Sequence, residues 1–166
     1  MFRGGVLLNA GDAIERAFAS VFSQDYPAFE VLITAAEESS AAIGIARKVA
    51  SDFRHVPCRF FLANRSFTLN PKVSNLVPAI DAATHQLILI KDANIQLADD
   101  QLGELVANLT PGTGMVCAIP IAVRPQTFWA EVEAAEMNGR SAPHMMGASV
   151  IGLNVGFGKV MLFDRD

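Results

Sequence analysis

Asp92, Ala93 and Asn94 are the residues in this chain whose types and spacing most readily suggest chemistry. A carboxylate and a carboxamide two positions apart offer the hard oxygen donors that a divalent cation takes. A metal held there would neutralise charge growing on a departing diphosphate. Asp92 follows the apolar run LILI at 87–90, with one residue between them. An acid at the carboxyl end of a buried strand is how an open α/β sheet presents a ligand group. The same aspartate also reads as a turn or cap residue. Lys72 and Asn75 lie on the first turn of the helix that precedes this run, where the helix N-terminus and the lysine charge attract an anion. A solvated lysine beside a helix-start asparagine is the plainer reading of that pair. Glu37 follows the second strand at the same sheet edge. It is placed to accept hydrogen bonds from a base or ribose, or to stay solvated beside Glu38.

Other candidates carry less. Gly156-Phe157-Gly158-Lys159 is not a phosphate loop. From Gly152 to Gly158 there is one residue too many, Val160 stands where Ser or Thr is needed, and a strand follows instead of a helix. Close backbone packing at a sheet edge is the expected reason for these glycines. His55, His85 and His144 have no metal-like spacing to one another or to a cysteine. His55 and His85 are expected in solvent. His144 follows a helix carrying Glu131, Glu133 and Glu136, and is a candidate for the acceptor side of a site. No Ser/His/Asp or Cys/His nucleophile arrangement stands out.

The elements that would position these residues alternate. Strands are expected at 4–9, 29–35, 58–63, 87–90, 115–121 and 159–163. Helices are expected at 13–22 with Asp12 as N-cap, at 40–53, at 71–83 with Pro71 in its first turn, at 99–109 and at 128–138. Residues 147–158 read as a Gly-rich apolar stretch. Strand–helix alternation at this spacing means βαβ units, right-handed crossovers and a mainly parallel sheet flanked by helices in one α/β domain. The chain stops at Asp164-Arg165-Asp166, just after a strand, where a helix is expected, as a fragment would.

Composition narrows the class. Of 166 residues, 51% are hydrophobic and 18% charged, as in a globular domain with its own core. A net charge of −4 without a Lys/Arg cluster argues against a nucleic-acid surface. Cys58 and Cys117 each sit in an apolar run and read as buried, reduced thiols of a reducing compartment. No apolar stretch reaches the ~18 residues of a membrane span, so the chain as given reads as soluble and cytoplasmic.

Three blocks resemble a known family. Gln24-Asp25-Tyr26-Pro27 with Phe29-Glu30-Val31-Leu32 looks like the early block of processive-type and lipid glycosyltransferases of the GT-A fold. Asn70-Pro71-Lys72-Val73-Ser74-Asn75-Leu76 is similar to the NPK[VI]xN[LM] block of ceramide glucosyltransferases and of bacterial hopanoid-associated glycosyltransferases. Asp92-Ala93-Asn94-Ile95 lies where that family has D-S-[DG]-I, and residues 152–163 resemble its Gly-rich block. The resemblance implies a GT-A fold and a metal-dependent, inverting transfer of a hexose from a nucleotide sugar, typically UDP-glucose, to a lipid hydroxyl. It implies Mn²⁺ or Mg²⁺ as cofactor and a parent protein at the cytoplasmic face of a membrane. Carried over, Asp92 faces metal and diphosphate, Asn94 stands beside it, Lys72 and Asn75 belong to the donor side, and Glu37 takes the place of the family's first Asp near the nucleoside. The family's third Asp, its general base, and its Q-x-x-R-W motif are expected beyond Asp166, and no residue of 1–166 is expected to be catalytic. An inverting transfer needs a base for the acceptor proton, so the expectation is donor binding without turnover.

Two other readings stay open. A sugar-nucleotide nucleotidyltransferase would want a Gly-rich, basic loop after the first strand, and Asn9-Ala10-Gly11-Asp12 has no Lys or Arg. A non-catalytic α/β nucleotide-binding or receiver-like domain would want an acidic pair there, and Asp12 stands alone.

Overall fold

The computed structural model describes residues 10–63, 68–153 and 156–165. The strand expected at 4–9 lies outside them, and so does Asp166, the residue past which the general base is expected. Helix α1 (Ala10–Phe22) leads to strand β1 (Val31–Ala35), helix α2 (Ala41–Asp52) and strand β2 (Cys58–Leu62). Helix α3 (Pro71–Ala82), strand β3 (Leu87–Lys91), helix α4 (Gln101–Ala107) and strand β4 (Met115–Cys117) follow. Helices α5 (Phe128–Glu136) and α6 (Ala142–Val150) precede strand β5 (Val160–Asp164).

β1 and β2 pair in parallel, Val31 opposite Cys58 and Ala35 opposite Leu62, as a βαβ unit requires. The apolar stripe of α2 explains its place on that unit. Ile43, Ala46 and Val49 pack with Phe18 and Phe22 of α1 and Val31 and Ile33 of β1 into one buried cluster. A second cluster gathers Leu97, Leu105, Val160 and Leu162 under the other strands. β3 and β4 each pair antiparallel with β5, which lies between them. β3 and β4 therefore run parallel to each other, and β5 is the reversed strand of a mixed α/β architecture.

Several boundaries differ from expectation for identifiable reasons. α1 begins at Ala10, so Asp12 lies inside the helix and not in front of it. α4 begins at Gln101, with Asp100 at its N-cap position making no side-chain cap bond. β4 stops at Cys117, well short of residue 121. Ala118 still donates to the Val160 carbonyl at 3.2 Å, but Pro120 has no N–H to continue the ladder. The acidic helix does not end at 138. A π-helical turn over Met137–Ser141 carries the path into α6. Pro143 falls in the first turn of α6, where its missing N–H is tolerated, and the wider turn ahead of it absorbs the register change. Gly147 is consequently helical, so the Gly-rich stretch starts later than its composition suggests. Both cysteines are free and half-buried, not fully buried, and burial pushes the Cys58 thiol up. Among the described residues, no helix is long and apolar enough to cross a membrane.

Candidate functional site

The site is assembled where the start of α3, the end of β3 and the start of β5 meet. Asn70 caps α3: its Oδ1 accepts from the Lys72 N–H at 3.0 Å and the Val73 N–H at 3.5 Å. That cap satisfies orphan donors at the helix start and fixes the backbone from which Lys72 projects. β3 ends in a tight turn, closed by Ile95 N–H donating to the Asp92 carbonyl at 3.1 Å. Asp92 N–H donates to the Lys159 carbonyl at 3.0 Å, which prolongs the β3–β5 pairing by one residue. Strand pairing thus brings Lys159 beside Asp92.

The side chains complete the cluster. Lys72 Nζ lies 2.8 Å from Asp92 Oδ1 and also donates to the Gly158 carbonyl. Lys159 Nζ lies 3.4 Å from Asp92 Oδ2. Each carboxylate oxygen therefore faces an ammonium group, and the three side chains together carry one net positive charge. All are partly open to solvent. An arrangement of this kind suits an anion with several oxygens, such as a diphosphate, since lysine is a compact, mobile phosphate-binding charge.

Buried polar struts hold the turn against α1. Gln24 Nε2 donates to the Ala98 carbonyl at 2.6 Å and to the Ser20 carbonyl at 2.8 Å, while its Oε1 accepts from Leu102 N–H at 2.8 Å. Ser20 Oγ accepts from Leu97 N–H at 3.0 Å. Asp25 N–H donates to the Asp99 carbonyl at 2.7 Å. The stretch just past Asp92 is thereby pinned at both backbone donors and acceptors. Lys91, one residue before Asp92, turns inward and donates to the Ala17 carbonyl at 3.2 Å. Burial lowers its amine to about 8, and the neighbouring Asp92 charge opposes that shift.

A cavity of about 630 Å³ opens beside the cluster, walled by β1, β3, α1 and α3. Its walls are mostly apolar, and Lys72, Asn75 and Asp92 supply polar groups. The carboxyl ends of β1 and β3, Ala35-Ala36 and Lys91-Asp92, both border it, which is the crevice position of ligands in open α/β sheets.

Of the residues singled out from sequence, the structure gathers Lys72, Asn75 and Asp92. Asn94 sits exposed in the turn. Glu37 is exposed on the loop past Ala36, outside the described cavity lining. His144 is exposed on α6, its Nδ1 bonded at 2.7 Å to the Arg140 carbonyl, and α6 contributes nothing to that lining. His55 and His85 are exposed, as expected. The general base expected beyond Asp166 lies outside the described residues, the last of which is Arg165. Two site residues escape the sequence reading. Lys159 stands in a segment that fails as a phosphate loop, and only the β3–β5 pairing reveals its place. Crowding is also not what the glycines serve. A Cβ on Gly158 would meet nothing within 4 Å, and one on Gly156 would make ordinary contact with Met115 at 3.5 Å. Gln24 stands inside a recognised block, but a glutamine near a helix end carries no local sign of burial.

The donor set can be tested against a divalent ion. Among the described residues no group of three or more His, Cys, Asp or Glu comes together that could hold a metal ion. Asp92 alone suits a different chemistry, that of an Mg²⁺-type ion held by one carboxylate, waters and substrate phosphates. The residues fit such an ion provided it takes a carboxylate oxygen from a lysine.

Comparison with known proteins identifies the family and the fold. The sequence model of glycosyl transferase family 21 matches residues 8–166. A ceramide glucosyltransferase of Komagataella phaffii is 31% identical over 97 residues, covering 56% of this chain and 19% of that protein. Ceramide glucosyltransferase 1 of Caenorhabditis elegans is 28% identical over 116 residues, covering 69% of this chain and 25% of that protein. The matched stretch thus spans a quarter or less of these relatives' length. Among solved structures, a mannosyltransferase from Pyrobaculum calidifontis in complex with GDP-Man and Mn²⁺ superposes with a TM-score of 0.61 at 22% identity, covering 95% of this chain and 42% of that one. That likeness establishes a glycosyltransferase fold.

Proposed function

The chain belongs to glycosyl transferase family 21, and from that membership we propose that residues 1–166 form the nucleotide-sugar-binding domain of an enzyme that moves a hexose, glucose from UDP-glucose, onto a lipid hydroxyl of the ceramide or hopanoid kind. The observation that carries this reading is Asp92 at the end of β3, flanked by Lys72 and Lys159 at the mouth of the cavity. Lys72 and Asn75 hold the donor from the α3 side. Asp92 and Asn94 would hold Mn²⁺ or Mg²⁺, which when bound neutralises charge on the leaving diphosphate. Glu37 approaches the nucleoside from the loop after β1. The parent protein works at the cytoplasmic face of a membrane, where its lipid acceptor lies.

The family resemblance assigns the acceptor proton to a base that residues 1–166 do not supply. Glu131, Glu133 and Glu136 lie on α5 and are not part of the cavity lining. On this reading residues 1–166 bind donor without turning it over, the base for the transfer being supplied from outside them. Titration calorimetry with UDP-glucose and UDP, with and without Mn²⁺, tests this on the wild type and on Asp92→Ala. Metal-strengthened binding lost in the variant supports the reading. Absent binding, or metal-strengthened binding that survives Asp92→Ala, refutes it.

A further inference from the structure

We propose that Lys72 and Lys159 form an exchangeable clamp on Asp92: in the nucleotide-free protein their ammonium groups hold the carboxylate, and on donor binding they move to the diphosphate as a divalent ion takes their place. The proposal rests on the donor-site reading above and assigns to that site Lys159, which lies within the Gly-rich block but carries no role there.

The geometry supports exchange over a fixed ion pair. The backbone beneath both lysines is held, Lys72 by the Asn70 cap at 3.0 Å and Lys159 by its carbonyl bond to Asp92 N–H at 3.0 Å. Their charged ends are held by the ion pairs to Asp92 and, for Lys72, by a hydrogen bond to the Gly158 carbonyl. Lys72 and Lys159 side chains are 44% and 36% exposed, against 29% for Asp92. A four-carbon stem anchored at its root can swing its head between two oxygen partners a few ångström apart. Ion pairs this open to solvent are weak, because water screens them and side-chain entropy opposes them, so a stronger partner displaces them. A dianionic diphosphate is such a partner for the ammonium groups, and a divalent cation is such a partner for the carboxylate.

Exchange has a signature that simple binding does not. With no nucleotide, a metal ion must evict an ammonium group from Asp92, and the two lysines repel it. Removing Lys159 therefore tightens nucleotide-free metal binding. The same removal takes a cation from the diphosphate and weakens anion binding when metal is absent. Linkage also requires metal and diphosphate to raise each other's affinity by the same factor.

The experiment uses the full chain with thermal melting as a folding control. Mn²⁺ affinity is read from the free-ion electron paramagnetic resonance signal without nucleotide, and pyrophosphate affinity is read by calorimetry in EDTA. Lys159→Met is expected to tighten Mn²⁺ and to weaken pyrophosphate, each by about fivefold or more, and Lys159→Arg to retain pyrophosphate binding. Asp92→Asn is expected to abolish Mn²⁺ binding and strengthen pyrophosphate binding. If Lys159→Met leaves both affinities unchanged, or weakens both, while the wild type still binds UDP with Mn²⁺, the clamp is overturned and the donor site stands. If the wild type binds neither pyrophosphate nor UDP under any condition, both are overturned.

Discussion

Replacing Glu30 with glutamine should change how the stability of this fold depends on pH. Glu30 immediately precedes β1, and its side chain is 10% exposed. Its Oε1 accepts from both the Thr84 N–H and the Thr84 hydroxyl at 2.7 Å, and Oε2 pairs with Arg59 at 2.7 Å. Arg59 in turn donates to the Ala82 carbonyl at 2.7 Å. The group ties the β1–β2 pair to the link between α3 and β3, the elements that carry Lys72 and Asp92. Burial alone would raise this carboxyl. The Thr84 hydrogen bonds and the Arg59 charge outweigh it and bring it from 4.5 down to about 2. A folded value below the unfolded one means that the stabilisation is complete above pH 4.5 and is lost as pH falls toward 2. At about 1.4 kcal/mol per pH unit the shift is worth at most about 3 kcal/mol. Solvent screening reduces that to on the order of 1–2 kcal/mol. Urea unfolding of wild type and Glu30→Gln at a series of pH values from about 7 down to about 2 reads the difference directly. The gap in unfolding free energy should be widest near neutrality and close by about that amount at the acid end. A gap that stays constant over the whole range would refute the assignment of the network as charge-assisted.

Two further positions test the supports of the site. Gln24→Ala should destabilise the chain by on the order of 1–3 kcal/mol, because it leaves the Leu102 donor and the Ala98 acceptor without their buried partner. Gln24→Glu should do at least as much harm, since a carboxylate lacks the N–H groups that reach Ala98 and Ser20; chemical denaturation ranks the pair. Asn70→Ala should cost about 0.5–2 kcal/mol through loss of the α3 cap. It should also weaken UDP binding, because Lys72 stands on the capped turn; calorimetry alongside denaturation checks both.

Most of this site is legible in the sequence because its signals are local. The Asn70-Pro71 start of α3 follows from capping and from the tolerance of proline in a first turn. The LILI run follows from strand composition, and Asp92 lies just past the strand it forms. Lys159 is not legible, because its position depends on β5 entering in reverse between β3 and β4, and an antiparallel return after so long a connection leaves no mark in the neighbouring residues. The continuation into α6 is obscured for a different reason. Gly139 and Pro143 read as helix breakers, whereas the π-helical turn lets both sit in a continuing helical path. Pro120, by contrast, does hold the reason for the short β4, and the apolar residues around it mask that signal.

The central claim is that a nucleotide diphosphate and its metal meet at Asp92. Paramagnetic broadening by Mn²⁺, followed in amide spectra of the UDP-saturated protein, tests it most directly. Amides of 72–75, 92–95 and 158–159 are expected to broaden first, and Asp92→Asn is expected to remove the effect. Broadening centred instead on the acidic helix at 131–136, or unchanged by Asp92→Asn, would contradict it.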